Sequence, residues 1–204
     1  QDHLTRVEVF NRGAMERFTY KGPTEWILND LTAVGIGVTV EDTSGNRMIE
    51  DRAQRLSCRD SREIYDCKTG QRLFSIRYMD AWCDSAQLIL GNQVLYTIRS
   101  PVAGDYVARL YRGDVNFTSL FSGEDGEELL SSPQGVLCRP KDRNIVDGEG
   151  YDAAQSRQQG FACMGDFHIE VEPRVNCALI WAFIIAMDDL REQEGRDVFW
   201  ACMR

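Results

Sequence analysis

Near its C-terminus the chain reads Val175-Asn-Cys-Ala-Leu-Ile-Trp-Ala-Phe-Ile-Ile-Ala-Met187, and the eleven residues after Asn176 include no charged or amide side chain. This pattern is typical of a helix with Asn176 as its N-terminal cap and with Asp188 as the first of the polar residues that follow. We predict a helix near residues 176–192 whose first turns are apolar on every side. Such a helix needs cover on all sides to be shielded from water.

The length of this apolar stretch decides what covers it. Eleven residues at a rise of about 1.5 Å each span about 17 Å, whereas a bilayer core is about 30 Å thick. The stretch is therefore too short to cross a membrane. A single sheet covers one side of a helix, but a closed sheet covers all of them, so we expect the chain's own strands to surround this helix. Ala178, Ala182 and Ala186 form a stripe of small residues along which a strand can approach closely.

The chain before Pro173 has the pattern of short antiparallel strands. Apolar residues alternate with small or polar ones over 34–40, 73–78 and 94–99, and further candidate strands lie at 15–20, 106–111, 115–120 and 167–171. Asp42-Thr-Ser-Gly45-Asn46 and Asp66-Cys-Lys-Thr-Gly70-Gln71 each place an Asp before a Gly, as hairpin turns do. We therefore predict a mainly β fold, an antiparallel barrel closed around the C-terminal helix.

Length and composition fit one domain over residues 1–204. Segments 122–128 and 141–159 are rich in Gly, Asp, Glu and Gln, so we predict a polar loop or insertion near 122–160. Seven cysteines without close pairing are typical of reduced thiols and favour a cytoplasmic protein. The chain does not begin with Met, so an N-terminal segment could have been trimmed.

The charge of the chain disfavours polyanionic partners. Asp and Glu number 32 against 23 Lys and Arg, which gives a formal net charge of -9. A surface of this sign repels nucleic-acid phosphates and anionic headgroups, so we expect no nucleic-acid partner. One segment has the opposite balance and is either a basic patch or a solvated surface of strands and turns; it contains Arg47, Arg52, Arg55, Arg59 and Arg62.

The order of these parts resembles the LURP-one-related family, whose fold is shared with the tubby C-terminal domain and the phospholipid scramblases. The resemblance rests on Ile36-Gly-Val-Thr-Val-Glu-Asp-Thr-Ser-Gly45, on Cys58 to Asp66 with Thr69 to Arg77, and on Val175 to Asp189. It implies a barrel of about twelve antiparallel strands around a central helix. It also implies a non-catalytic binding or regulatory module that engages a lipid, a protein or a small ligand.

Common catalytic signatures are absent from the chain, including phosphate-binding glycine loops, the G-x-S-x-G elbow and H-E-x-x-H. His3 and His168 are the only histidines, which excludes a multi-histidine metal site. We therefore predict neither a cofactor nor a bound metal.

Two sets of residues are candidates for a site. Asp166, His168 and Glu170 share one face of a predicted strand, where a carboxylate can orient the imidazole for proton transfer. The same alternation also fits a solvated outer face. Trp82 and Asp84 flank Cys83 and either line a ligand pocket or pack at the rim of the barrel.

These observations leave two functions. The first is the binding module that the resemblance implies. The alternative is a cofactor-free isomerase or cyclase that holds an apolar small molecule at the barrel mouth. A deep, partly apolar pocket that contains ionisable groups would favour the enzyme, whereas a barrel filled by its helix would favour the binding module.

Overall fold

A computed structural model describes residues 18, 20–30, 37–51, 61–79, 85–99, 107–115, 126–133, 143–159 and 166–202. Within these residues the chain forms twelve strands and one helix. In chain order they are β1 (Thr24–Asp30), β2 (Val38–Asp42), β3 (Arg47–Asp51), β4 (Ser61–Asp66), β5 (Arg72–Tyr78), β6 (Ser85–Leu90), β7 (Gln93–Arg99), β8 (Val107–Arg112), β9 (Glu128–Pro133), β10 (Arg143–Asp147), β11 (Asp152–Gln159), β12 (Asp166–Val171) and α1 (Cys177–Cys202).

The twelve strands form a closed antiparallel barrel. Each strand pairs with its neighbours in sequence, and β12 closes the ring by pairing with β1, where Trp26 lies opposite Ile169. The inward side chains are those that alternation predicts, such as Phe74 and Ile76 on β5, both fully buried. The predicted mainly β barrel around a C-terminal helix is confirmed.

The two predicted hairpin turns are confirmed. Between β2 and β3, the Asp42 carboxylate accepts hydrogen bonds from the backbone N–H groups of Ser44 at 2.9 Å and Asn46 at 2.8 Å. Gly45 has a φ of 81°, a backbone conformation that residues with a side chain rarely adopt. Between β4 and β5, Gly70 donates its N–H to the Asp66 carbonyl at 2.8 Å. These short turns connect the strands at one end of the barrel.

The segment 122–160, predicted as a polar loop or insertion, contains three strands of the barrel, β9, β10 and β11, so its described part is not a loop. The turn between β10 and β11 repeats the earlier chemistry: Asp147 accepts from the N–H groups of Glu149 and Tyr151, at 3.0 and 2.9 Å. On β11 the buried positions hold small residues such as Ala154 and Ser156. Small inward and polar outward residues lower the mean hydropathy of the segment, so its composition resembles that of a loop.

Several predicted strands lie wholly or partly outside the described residues. Of 15–20 only residues 18 and 20 are described, of 34–40 only 37–40, and of 115–120 only 115. Val38 and Val40 are buried on β2, as their alternation predicts.

The helix α1 fills the barrel. The Asn176 side chain caps it by accepting from the N–H of Ala178 at 3.0 Å, and every residue from Cys177 to Met187 is buried. Trp181 packs edge-on against Phe18 and Trp26, with ring centroids 5.1 and 5.0 Å away. The helix continues to Cys202, ten residues beyond the predicted end. In the described part of the chain, no helix combines the length and apolar character needed to cross a membrane.

The segment after β8 covers part of the outer surface. Thr97 on β7 donates its hydroxyl to the Gly113 carbonyl at 2.8 Å and accepts from the Val115 N–H at 3.1 Å. Gln87 on β6 donates to the Asp114 carboxylate at 2.8 Å. These contacts explain why outward polar residues of β6 and β7 are buried.

Candidate functional site at the charged end of the barrel

The barrel end opposite the short turns holds a group of ionisable side chains inside the ring of strands. Antiparallel neighbours run in opposite directions, so the last residues of odd-numbered strands and the first residues of even-numbered ones meet at this end. We call the following six residues the charged cluster: Asp51 on β3, Arg62 on β4, Tyr78 on β5, Arg143 on β10, and Asp188 and Asp189 on α1.

Asp189 is bound from one side of the barrel. One guanidinium nitrogen of Arg62 donates a hydrogen bond to Asp189 Oδ1 at 2.6 Å, and the other donates one to Asp51 Oδ2 at 2.7 Å. The Tyr78 hydroxyl donates to the second oxygen of Asp189. Asp51 is buried on β3 and thereby fixes Arg62 in reach of the helix. Two adjacent strands thus hold one carboxylate of α1.

Asp188 is bound from the other side. Arg143 Nη2 donates to Asp188 Oδ1 at 3.1 Å. The Arg143 guanidinium carbon lies 5.6 Å from the centre of the Phe167 ring, within the range of a cation–π contact. With only 3% of its side chain exposed, Arg143 is one of the few charged residues in the described part of the chain to be so deeply buried, and its contacts explain how this is tolerated.

Burial governs the protonation of this cluster. Loss of water raises the pKa of Asp189 to about 6, although the Arg62 charge and the Tyr78 hydrogen bond oppose the shift. Burial and the Asp189 charge raise the pKa of Tyr78 well above its usual value. Burial alone would lower the pKa of Arg62, but the charge of Asp189 raises it, so Arg62 stays a cation. The pKa of Asp189 therefore lies close to neutral pH.

A small cavity adjoins the cluster. It has a volume of about 10 Å³ and is lined by side chains of β1, β2, β12 and α1, namely Leu28, Val38, Phe167, Ile184, Ile185, Asp188 and Asp189. That volume corresponds to about one water molecule. The cavity contains ionisable groups, but it is far smaller than a site for an organic substrate, which takes on the order of 300 Å³.

The sequence-predicted residues His168 and Glu170 lie elsewhere, on the outer face of β12. Phe167, Ile169 and Val171 point inward and are buried. His168 lies opposite Ile27 on β1 and Arg157 on β11. In the described part of the chain His168 makes no hydrogen bond to a carboxylate. The structure thus places the imidazole beside a guanidinium and an apolar side chain.

The other predicted site residues are described partly or not at all. The backbone of Asp166 begins β12, opposite Gln159, but its side chain lies outside the description. Trp82 and Asp84 lie outside the described residues. Among the described residues, no group of three or more His, Cys, Asp or Glu side chains is arranged to hold a metal ion.

Sequence reasoning missed the charged cluster, although a signal was present. Asp51 follows Ile49 by two positions, and Arg143 precedes Ile145 by two, so alternation places both side chains inside the barrel. Asp188 and Asp189 were interpreted as the first polar residues after the apolar stretch of the helix, and Arg62 as part of a patch or a solvated surface. A charge at an inward position of a strand was the available indication of a buried ion pair.

The fold and the site together define a class of protein: a closed antiparallel barrel whose interior is filled by a helix, with ionisable groups at the end of the barrel near Asp188 and Asp189. The family model described as LURP-one-related matches residues 31–188 of the chain. The protein belongs to this family, as the resemblance predicted.

A solved structure supports the fold. The X-ray structure of a protein from Arabidopsis thaliana has a TM-score of 0.62 to this chain at 16% sequence identity, and the similarity covers 88% of this chain and 99% of that one. At this identity the likeness concerns the fold alone. No curated protein sequence matches the chain.

Proposed function

We propose that this protein is a non-catalytic binding module that engages a basic segment of a partner protein with its outer surface. The filled barrel carries this proposal. Every residue of α1 from Cys177 to Met187 is buried against the strands, and the cavity beside Asp189 has room for about one water molecule. Among the described residues, recognition therefore falls to the outer surface.

One part of that surface has unbalanced charge. We define the β12 outer face as the outward side chains of β1, β12 and β11: Glu25, Ile27, Gln155, Arg157, His168 and Glu170. Glu25 and Glu170 lie directly opposite each other and are both exposed. Neither forms an ion pair with a described residue. Like charges directly opposite each other destabilise a sheet.

A basic partner relieves this repulsion. A Lys or Arg side chain placed between Glu25 and Glu170 would interact favourably with both carboxylates. Ile27, half-buried on the same face, offers an apolar contact next to them, and Gln155 offers an amide opposite Glu170. The formal net charge of -9 adds long-range attraction for a basic segment and repels anionic lipid headgroups. In this proposal Glu170 binds the partner, and His168 contributes a polar contact rather than proton transfer.

The test uses a fluorescent nine-residue peptide of alternating Lys and Val and compares two double variants. We expect Glu25→Gln with Glu170→Gln to weaken binding at least tenfold, because both carboxylates that face the cation are removed. The control is Glu127→Gln with Glu149→Gln, which changes the net charge equally at exposed positions outside this face. Fluorescence anisotropy at low and physiological salt measures the affinity.

Equal loss of affinity in the two double variants would contradict the proposal, since it would show that net charge alone attracts the peptide. Flotation with phosphatidylserine vesicles is the second arm of the test. Vesicle binding that survives Glu25→Gln with Glu170→Gln, together with no peptide binding, would assign the module to lipids instead.

The enzymatic alternative, an isomerase or cyclase, needs a larger pocket with ionisable groups than the cavity at Asp188 and Asp189 provides. The binding module is therefore the better-supported function. A cytoplasmic location stays a prediction from the cysteine pattern.

A further inference from the structure

The two aspartates at the end of the apolar stretch connect α1 to opposite sides of the barrel. In the ring of twelve strands, β4 and β10 stand six places apart. Asp189 is bound by Arg62 of β4, and Asp188 is bound by Arg143 of β10. Consecutive helix residues point about 100° apart, so neighbouring aspartates can reach different strands of the barrel. The pair therefore holds the helix from two directions where it reaches the charged end.

Both ion pairs are largely shielded from water. The exposed fractions of the side chains are 17% for Arg62 and 16% for Asp189 in one pair, and 3% for Arg143 and 23% for Asp188 in the other. Removing one partner of such a pair leaves a charge in a poorly hydrated place, which is strongly unfavourable. Each arginine is also held by another residue of the barrel, Arg62 by Asp51 and Arg143 by the Phe167 ring. The strands thus present two fixed cations to the helix.

The described part of the charged cluster brings carboxylates and cations into direct contact. Three carboxylates, those of Asp51, Asp188 and Asp189, contact two guanidiniums, those of Arg62 and Arg143. The Tyr78 hydroxyl adds a hydrogen bond but no charge. Because Asp189 is largely removed from water, its charged form is disfavoured, and either a proton or exposure to water relieves this cost.

We propose that Asp188 and Asp189 form a clasp that fixes α1 between β4/β5 and β10, and that ionisation of Asp189 loosens this end of the helix from the barrel. The groups that face Asp189 are Asp51 on β3, Arg62 on β4, Tyr78 on β5, and Asp188 with its partner Arg143. The inference is independent of the β12 outer face. It concerns how firmly the charged end of the barrel holds α1.

The direction of the pH effect follows from Asp189. Its pKa is about 6 in the folded protein and 3.8 for an ordinary aspartate. A raised pKa means that the closed clasp binds a proton more tightly than an opened one, in which Asp189 is hydrated. The clasp is therefore most stable at low pH, and it weakens as the pH rises through about 6. The largest possible change in the opening equilibrium is about a hundredfold, set by these two pKa values.

Hydrogen–deuterium exchange of the full chain, read by mass spectrometry, tests the clasp. Between pH 5 and 7.5, after correction for intrinsic rates, we expect the protection of amides 184–190 to fall as the pH rises. Amides 177–183 lie deeper in the barrel and should keep their protection. In Asp189→Asn the group no longer titrates, so the pH dependence of amides 184–190 should disappear. Unchanged pH dependence in this variant would overturn the proposal.

Milder variants keep the test decisive if Asp189→Asn does not fold. Tyr78→Phe removes one hydroxyl and Asp188→Asn removes the contact with β10. Each should raise exchange of amides 184–190 several-fold and leave amides 177–183 unchanged. Glu127→Gln breaks the exposed ion pair with Arg112 and is the control that should behave as wild type. Wild-type exchange in both Tyr78→Phe and Asp188→Asn would refute the clasp.

Discussion

At the scale of a single residue, Gly37 helps to hold Asp51 of the charged cluster in place. Its φ is 89°, a conformation that favours glycine. A Cβ atom at this position would lie 2.9 Å from the backbone oxygen of Asp51 and 3.3 Å from a carboxylate oxygen of Asp51. The absence of a side chain at Gly37 therefore lets β2 and β3 hold Asp51 where it binds Arg62.

We predict that Gly37→Ala lowers the free energy of unfolding by about 2 kcal/mol or more, because it combines backbone strain with a clash against a backbone atom. Gly22→Ala is the matched control, since nothing lies within 4 Å of its Cβ and its φ is not positive. Urea denaturation of both variants measures the difference. Similar stability of the two would show that β2 moves away at little cost.

At the scale of the element, α1 combines a defined start with a buried body. Asn176 is buried and accepts hydrogen bonds from the N–H groups of Ala178 and Leu179, at 3.0 and 3.4 Å. Burial raises the pKa of the Cys177 thiol in the first turn to about 11, so the thiol is protonated at neutral pH. The helix thus begins with satisfied backbone groups and a neutral side chain, which suits the apolar interior of the barrel.

Loss of the cap is predicted to destabilise the protein. Asn176→Ala should lower the free energy of unfolding by about 1–2 kcal/mol, because buried N–H groups lose their acceptor. Asn176→Ser keeps a side-chain oxygen, so its loss should be clearly smaller. Denaturant titration followed by circular dichroism compares the two. Equal losses of stability in the two variants would indicate that the packing of the Asn176 side chain matters more than its hydrogen bonds.

At the scale of the whole molecule, two aspartates with opposite pKa shifts influence the stability in opposite ways. The hydrogen bonds of Asn46 and Ser44 lower the pKa of Asp42 in its exposed turn. Burial raises the pKa of Asp189. A lowered pKa contributes stability that is lost as the pH falls, whereas a raised one contributes stability that is lost as the pH rises.

We predict opposite trends when wild type is compared with Asp42→Asn and with Asp189→Asn. From pH 4 to 7, the stability that Asp189 provides relative to Asn should fall by about 2 kcal/mol, since its pKa changes from 3.8 to about 6 on folding. The stability that Asp42 provides should fall only on acidification below its ordinary pKa. Urea titrations at several pH values measure both. If stability depended on pH in the same way in the two variants, the opposite directions of the two pKa shifts would be contradicted.

The sequence by itself determined the architecture of this protein. The eleven apolar residues from Cys177 to Met187 are too few to span a bilayer and need cover on all sides, and alternating strands provide it. Asn176 as cap and the turns after Asp42 and Asp66 were readable as well, because each depends on residues close in the chain. The strands within 122–160 were missed because small inward residues hide the alternation.

Only the tertiary structure decided the site. Asp189 lies 127 positions from Arg62 and 111 from Tyr78, and Asp188 lies 45 from Arg143. These contacts depend on the register of the strands and on the depth of the helix in the barrel, neither of which is set by neighbouring residues. For the same reason, the alternation that puts His168 and Glu170 on one strand face did not reveal their neighbours Arg157 and Glu25 on adjacent strands, which became known only once the ring was closed.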